Sequence, residues 1–190
     1  MKYYKVLTSD KGSEDIIVCY CSDSGGFESY ELKEGKYVDF QTEKEIVFNF
    51  DPAEGKCSTD YLVCDKNWFL VSERVKMVLD SLEERGVQYI PVRIYNKETD
   101  ESLGGYSVAN VVNVLDALNL EYSDYSIFEY GENQKLVSVK KYALNRQCLE
   151  NKHVFKLHGD EFPLFVSEEF KKEVEKNKLT GFDFLEVKVI

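Results

Sequence analysis

Residues able to do chemistry are few in this chain, and their spacing argues against most of it. Cys148, His153 and His158 form a C-x4-H-x4-H order, which matches none of the common zinc-ligand spacings. The segment around the two histidines is strand-like, so an odd separation of five places them on opposite faces. Cys19 and Cys21 form C-x-C, and Cys57 and Cys64 form C-x6-C; neither has the C-x2-C knuckle of a four-thiolate site. Nucleophilic catalysis needs a Ser or Cys activated by a neighbouring base, yet no G-x-S-x-G or C-G-x-C signature is present. The glycine pairs at 25–26 and 104–105 belong to no G-x-G-x-x-G or G-x-x-x-x-G-K-S/T loop, so nothing points to a bound nucleotide. Adjacent acids such as Asp100 and Glu101 could in principle share acid and base roles. With 35 Asp and Glu among 190 residues, such pairs arise by abundance alone. These readings predict no catalytic residue, no metal and no cofactor.

Charge is the more telling feature. The formal net charge is −11, which disfavours binding to a phosphate backbone and favours a basic partner. It is unevenly spread: residues 1–60 carry a net −6, 61–95 balance, 96–134 carry −7, 135–157 carry +5 and 158–190 carry −3. Within the third block, Tyr122, Tyr125 and Tyr130 stand among Glu121, Asp124, Glu129 and Glu132. Tyrosine is a frequent anchor of protein interfaces, so this Tyr/acid segment, together with Asp100 and Glu101, is the candidate binding surface. The structural alternative for the same residues is a half-exposed strand and loop.

The elements that must hold these residues are mostly strands. Residues 3–7, 15–20 and 45–50 are rich in β-branched and aromatic side chains, separated by turn-forming Asp, Gly and Ser, and read as an antiparallel meander. Val71, Val75, Val78, Leu79 and Leu82 then recur at helical spacing. Ser72 stands as N-cap, Glu73 complements the positive helix end, and Gly86 is expected to stop the helix. A strand follows over 87–95, and a hairpin passes Gly104-Gly105 to 106–114. Residues 109–120 suit either a buried strand or a short helix. Further strands are expected at 126–130, turning at 131–133 to 136–140, and at 154–157. Phe69-Leu70-Val71-Ser72-Glu73 is echoed by Leu164-Phe165-Val166-Ser167-Glu168 at an offset of 95, which also carries Gly86 onto Gly181. Ser72 and Ser167 are therefore expected as helix caps rather than nucleophiles. The expected fold is α+β, a mainly antiparallel sheet with two Ser-capped helices in an internally repeated strand–helix–strand unit. It is expected as a single domain over 1–190. A division into two lobes is the other possibility, with a β-rich lobe at 1–62 and repeated units at 68–95 and 163–190 in the remainder.

The N-terminus, MKYYKVLTSDKGSED, lacks the apolar core of a secretory signal, and no apolar run approaches the ~20 residues that span a bilayer. A cytoplasmic protein with its five cysteines as reduced, largely buried thiols is expected.

Three stretches, DYLVCDKNWFLVSERVK, YSVANVVNVLDALNLEYSDYS and HVFKLHGDEFPLFVSEEFK running on to LTGFDFLEV, resemble a bacterial family of immunity proteins encoded beside polymorphic toxins. The resemblance is strongest at the VSE-x-F-K and LTGFDF motifs. It implies a non-enzymatic protein that binds and neutralises a cognate toxin by covering its active site. Given the acidic surface, that toxin is expected to be basic, for instance a nuclease. Ser167, Phe170, Gly181 and Phe184 in the motifs read as architectural. The alternative is a non-catalytic interaction scaffold or adaptor without a toxin partner.

Overall fold

The computed structural model describes residues 1–10, 15–39, 45–130 and 134–190, with backbone alone at 129–130 and 134–137. In chain order the elements are β1 (Tyr3–Thr8), β2 (Val18–Ser24), β3 (Ile46–Phe50), β4 (Tyr61–Cys64), β5 (Leu70–Ser72), α1 (Glu73–Ser81), β6 (Val87–Asn96), β7 (Ser102–Leu103) and β8 (Tyr106–Val111). They continue with β9 (Val114–Leu115), a 3₁₀ turn (Leu120–Tyr122), β10 (Asp124–Tyr130), β11 (Gln134–Lys141), β12 (Ala143–Leu144), β13 (Val154–Leu157), β14 (Asp160–Ser167), α2 (Glu168–Lys176) and β15 (Phe182–Val189). The chain is thus mainly β, with two short α-helices.

Strands β3-β2-β4-β5-β8-β6 form a sheet that closes on itself where β6 returns to β3, with β7 paired on β6. The closure is a six-stranded barrel. Period-two patterning fills it: Ile46 and Phe48 from β3, Leu62 and Cys64 from β4, Leu70 from β5, Ile90 and Ile94 from β6, and Val108 from β8. A second sheet, β12-β15-β1-β14-β13-β9, stays open.

The sheets are mixed rather than simply antiparallel, because β2–β4, β3–β6, β12–β15 and β9–β13 run parallel. Nor do the first sixty residues form a single meander. β1 leaves them to pair with β14 and β15, while β2 and β3 contribute to the barrel.

Alternation along the open sheet splits its side chains between two cores. Tyr4, Val6, Val154 and Val166 face one way, onto Val75, Val78 and Leu79 of α1, Phe170 and Val174 of α2, and the barrel's outward Val71, Ala109 and Val111. Tyr3, Phe155, Leu157, Phe165 and Val187 face the other way, with Tyr142, Leu144 and Leu149. The first of these cores joins both sheets through the helix pair.

Each helix is nine residues long and begins directly after a serine. Ser167 Oγ accepts from the Phe170 amide at 3.1 Å and caps α2. Ser72 does not cap α1 in that way: its side chain accepts from no first-turn amide, and its hydroxyl is turned to donate to the buried Asp60 Oδ1 at 2.7 Å, a charge-assisted bond.

The helix ends also differ from expectation. α1 stops before Gly86: Glu83 N–H donates to Asp80 O and Glu84 N–H to Leu79 O, with Glu83 at φ 54°. α2 ends identically through Lys178 and Leu179, onto Glu175 O and Val174 O, with Lys178 at φ 52°. These are Schellman stops built on non-glycine residues. Gly86 serves close approach instead, and Gly181, past the stop of α2, combines close approach with a φ of 87°. A Cβ at Gly86 would lie 1.9 Å from the Asn113 side chain, and one at Gly181 would lie 2.3 Å from Tyr61 O.

Candidate functional site

Four of the nine sequence-predicted contact residues, Asp124, Tyr125, Glu129 and Tyr130, fall on one substructure, and Glu121 and Tyr122 lie on the 3₁₀ turn that leads into it. β10 and β11 pair only with each other among the described residues, as a two-stranded arm whose β11 lies against β14 of the open sheet. Its base is anchored. Ser123 Oγ donates to Asn119 O at 2.6 Å and accepts from Ala143 N at 3.0 Å, and Val139 packs on the second core. The Asn119 side chain caps the 3₁₀ turn by accepting from Tyr122 N.

The arm and the turn before it carry apolar surface into solvent: Tyr122 of the 3₁₀ turn is 51% exposed, and Tyr125, Ile127 and Phe128 of β10 are 37%, 49% and 56% exposed. A lone two-stranded hairpin is marginal in water. Exposed apolar side chains on such an arm are not part of a folding core.

Glu121 and Asp124 are exposed beside these rings, and Lys188 Nζ lies 4.9 Å from the centre of the Tyr122 ring. Glu129 and Tyr130 continue β10 in register with Lys135 and Gln134. Glu132 lies outside the described residues. Asp100 and Glu101 are not on this arm. They occupy the β6–β7 turn of the barrel, where Asp100 takes φ 55° and its amide donates to Asn96 O. Asp100 there lines an open groove of about 570 Å³ with Val47, Arg93, Tyr95 and Ser102.

Sequence reasoning singles out the arm's tyrosines and acids but misses Ile127 and Phe128. The hairpin signal is present; what local alternation lacks is any sign that β10 would be left uncovered. The register also tempers the charge blocks. Asp124 opposes Lys141, and Glu129 opposes Lys135, so the acidic 96–134 block and the basic 135–157 block meet across one hairpin.

The remaining polar residues are structural. Asp60, 7% exposed, accepts from Ser72 Oγ, Arg74 Nη1, Thr180 N and Thr180 Oγ1, tying the barrel to the start of α1 and the loop after α2. Glu84 accepts from Gly86 N, Asn113 Nδ2, His153 N and Val154 N, fastening the end of α1 to β13. Lys156 is buried, and its ammonium donates to the carbonyls of Lys33 and Glu161. Burial pulls its pKa down to about 8, against the opposing pull of Glu161. It borders a cavity of about 150 Å³ walled by Leu32, Trp68, Phe69, Phe162 and Leu164.

One grouping looks like a catalytic triad and is not. His153 Nδ1 lies 3.0 Å from Ser167 Oγ and 3.8 Å from Glu169 Oε2. A triad needs serine and acid on opposite ring nitrogens, whereas both sit at Nδ1, and Ser167 is fully buried and engaged as a cap. His153 and His158 flank β13 rather than lying within it.

The five cysteines are free. Cys19 and Cys64 adjoin in parallel register and are buried, with burial raising their thiols to about 12 and about 11, which makes them inert. Cys57 is exposed, contrary to the expectation of burial, and so is Cys148. Among the described residues no group of three or more His, Cys, Asp or Glu could hold a metal ion, and no helix is long and apolar enough to cross a membrane.

Residues 8–189 match the Imm11 immunity protein family. The chain belongs to that family. Membership implies a cognate toxin as partner and a non-catalytic role, in keeping with the VSE and LTGFDF motifs. No curated protein sequence matches the chain significantly. The family motif residues are architectural in this Imm11 chain: Phe170 is fully buried, and Phe182 stacks on Phe184 with ring centres 6.0 Å apart.

Proposed function

We propose that this Imm11 protein, acting as a single domain over residues 1–190 in the cytoplasm of the producing cell, neutralises a basic toxin such as a nuclease by covering its active site with the β10–β11 arm. The observation that carries this reading is the arm itself: exposed Tyr122, Tyr125, Ile127 and Phe128 interleaved with Glu121 and Asp124, on a member of an immunity family. Aromatic and apolar side chains supply the desolvated centre of an interface. The acids around them steer a basic cleft into place and stand where phosphates would otherwise bind. Glu129 and Tyr130 follow on the same strand, β10, and are proposed as contact residues with it, as is Glu132 from the sequence alone. Asp100 and Glu101, on a separate turn, contribute to the long-range field rather than to the contact.

We further infer that β5–α1–β6 and β14–α2–β15 are copies of one unit; equal helix lengths and matching Schellman stops 95 residues apart support this.

The test is co-expression with the toxin encoded beside this protein's gene, paired with titration of the purified partners. Wild-type protein restores growth. Charge reversal of Asp124 and Glu129 to Lys weakens binding at least about tenfold, mostly through slower association at low salt. Unchanged affinity, or growth arrest that the wild-type protein does not relieve, refutes the reading.

A further inference from the structure

The arm leaves a backbone edge open as well as a side-chain surface. β10 is hydrogen-bonded on one side to β11 and, among the described residues, to no strand on the other. β11 turns partly toward the body, since it lies against β14 and its Val139 packs on the second core. The edge of β10 over Asp124–Phe128 is therefore the free one.

Natural proteins protect such edges with bulges, prolines or inward-pointing charges. Here the only irregularity is at Asp124/Tyr125, at the base, and the exposed run from Tyr125 to Phe128 holds no proline and no lysine.

Two occupants could cover it, a second copy or a foreign strand, and charge decides between them. Residues 116–130 contain four acids and no Lys, Arg or His. A second β10 would bring acid against acid, on chains that each carry −11. A basic strand meets opposite charge instead.

We propose that the toxin adds one of its own basic, extended strands to the outer edge of β10, so that backbone hydrogen bonds supply some of the grip while Tyr125, Ile127 and Phe128 select the side chains facing them. This deepens the toxin-binding reading and rests on it. The arm would then be a three-stranded sheet in the complex, which removes its marginal stability as an isolated hairpin.

Amide hydrogen exchange tests this on full-length protein, alone and with the purified toxin polypeptide encoded beside its gene. Successive residues of a strand point their amides to opposite edges, so exchange in the free protein identifies the outward amides among 124–128 as the fast ones. In the complex these slow about tenfold or more, while the inward amides change little. A proline at whichever of Ser126 and Ile127 has the fast amide removes one outward donor and weakens the complex at least about tenfold. It leaves the hairpin's own pairing intact.

A complex that forms and depends on Asp124 and Glu129, yet leaves the outward amides fast, overturns strand addition while the binding surface stands. Concentration-dependent protection of those amides in the protein alone assigns the edge to a second copy and overturns the proposal. Absence of any complex overturns both readings.

Discussion

Replacing Asp60 with Ala should destabilise this fold more than any other single polar change among the residues described above. The carboxylate is 7% exposed and receives Ser72 Oγ at 2.7 Å, Thr180 N at 2.9 Å, Thr180 Oγ1 at 3.2 Å and Arg74 Nη1 at 3.0 Å. The partners are unequal. Ser72 is buried, so its hydroxyl would lose its acceptor with no water to replace it, at about 1–3 kcal/mol. The charge-assisted bond from the half-buried Thr180 amide is worth about 1–1.5 kcal/mol. The Arg74 side chain is 55% exposed and simply rehydrates, so its pairing adds at most about 1 kcal/mol.

The sum is about 3 kcal/mol for Asp60→Ala, against about 1 kcal/mol or less for Arg74→Ala. Urea unfolding of the two variants, followed by tryptophan fluorescence and far-UV circular dichroism, measures both. Trp68 is the sole tryptophan and sits in the barrel core, so fluorescence reports the barrel while dichroism reports the whole chain. A double-mutant cycle with Ser72→Ala should show coupling of about 1 kcal/mol. If Asp60→Ala costs less than about 1 kcal/mol at unchanged m-value, the carboxylate is not the tie between barrel and helices that its bonds describe.

Phe170→Ala should cost about 3–5 kcal/mol in the same assay, because the ring is fully buried between both sheets; Phe162→Ala, 65% exposed, should stay within about 0.5 kcal/mol. Lys178→Gly should raise stability by about 0.5 kcal/mol, since a side chain at φ 52° carries a left-handed penalty that glycine lacks; a loss of stability would contradict the Schellman stop. Lys156 gives a pH signature. Its folded pKa, about 8, lies below the ordinary 10.5, so between those values the unfolded chain binds more protons and stability rises with pH. The rise from this residue is on the order of 3 kcal/mol, and should vanish from the pH profile of Lys156→Met. Equal slopes for both proteins over about pH 8–10 would exclude a folded-state pKa lowered by burial.

Local structure is legible in the sequence where short-range physics dictates it. β13 spans the expected 154–157, β6 begins at the expected Val87, and both helices start one residue after their serines. Each depends on periodicity and caps read over a short window. The helix stops are not legible, because glycine is the usual left-handed residue, whereas here Glu83 and Lys178 take that conformation at the stops; Gly86 is kept small by Asn113, and Gly181 by Tyr61 together with its own φ of 87°. Pairing across the chain is equally hidden. β1 lies between β14 and β15, strands more than 150 residues away, and the barrel closes through a parallel β3–β6 contact. A stretch such as Ile46-Val47-Phe48 carries the same alternation whichever strand it pairs with.

The candidate surface shows the same division at a functional level. Tyr122 and Tyr125 can be picked out because aromatic residues among acids are chemically conspicuous. Ile127 and Phe128 cannot, because in one dimension they read as ordinary core residues. Only the fold, by setting β10 and β11 outside both sheets, turns them into exposed surface. It also revises the meaning of the charge. The acidic excess of 96–134 is not a uniform repulsive face, since Lys135 and Lys141 stand opposite Glu129 and Asp124. What the arm offers is an acidic strand backed by a basic one, so its field is directional. β10 carries two acids and no base, and β11 three lysines and no acid. A partner steered by that field should therefore approach the free edge of β10 rather than the face of the sheet. Reversing Lys140 and Lys141 to Glu should then speed association with a basic toxin at low salt while leaving the dissociation rate nearly unchanged, the opposite of the effect expected from truncating Ile127 or Phe128.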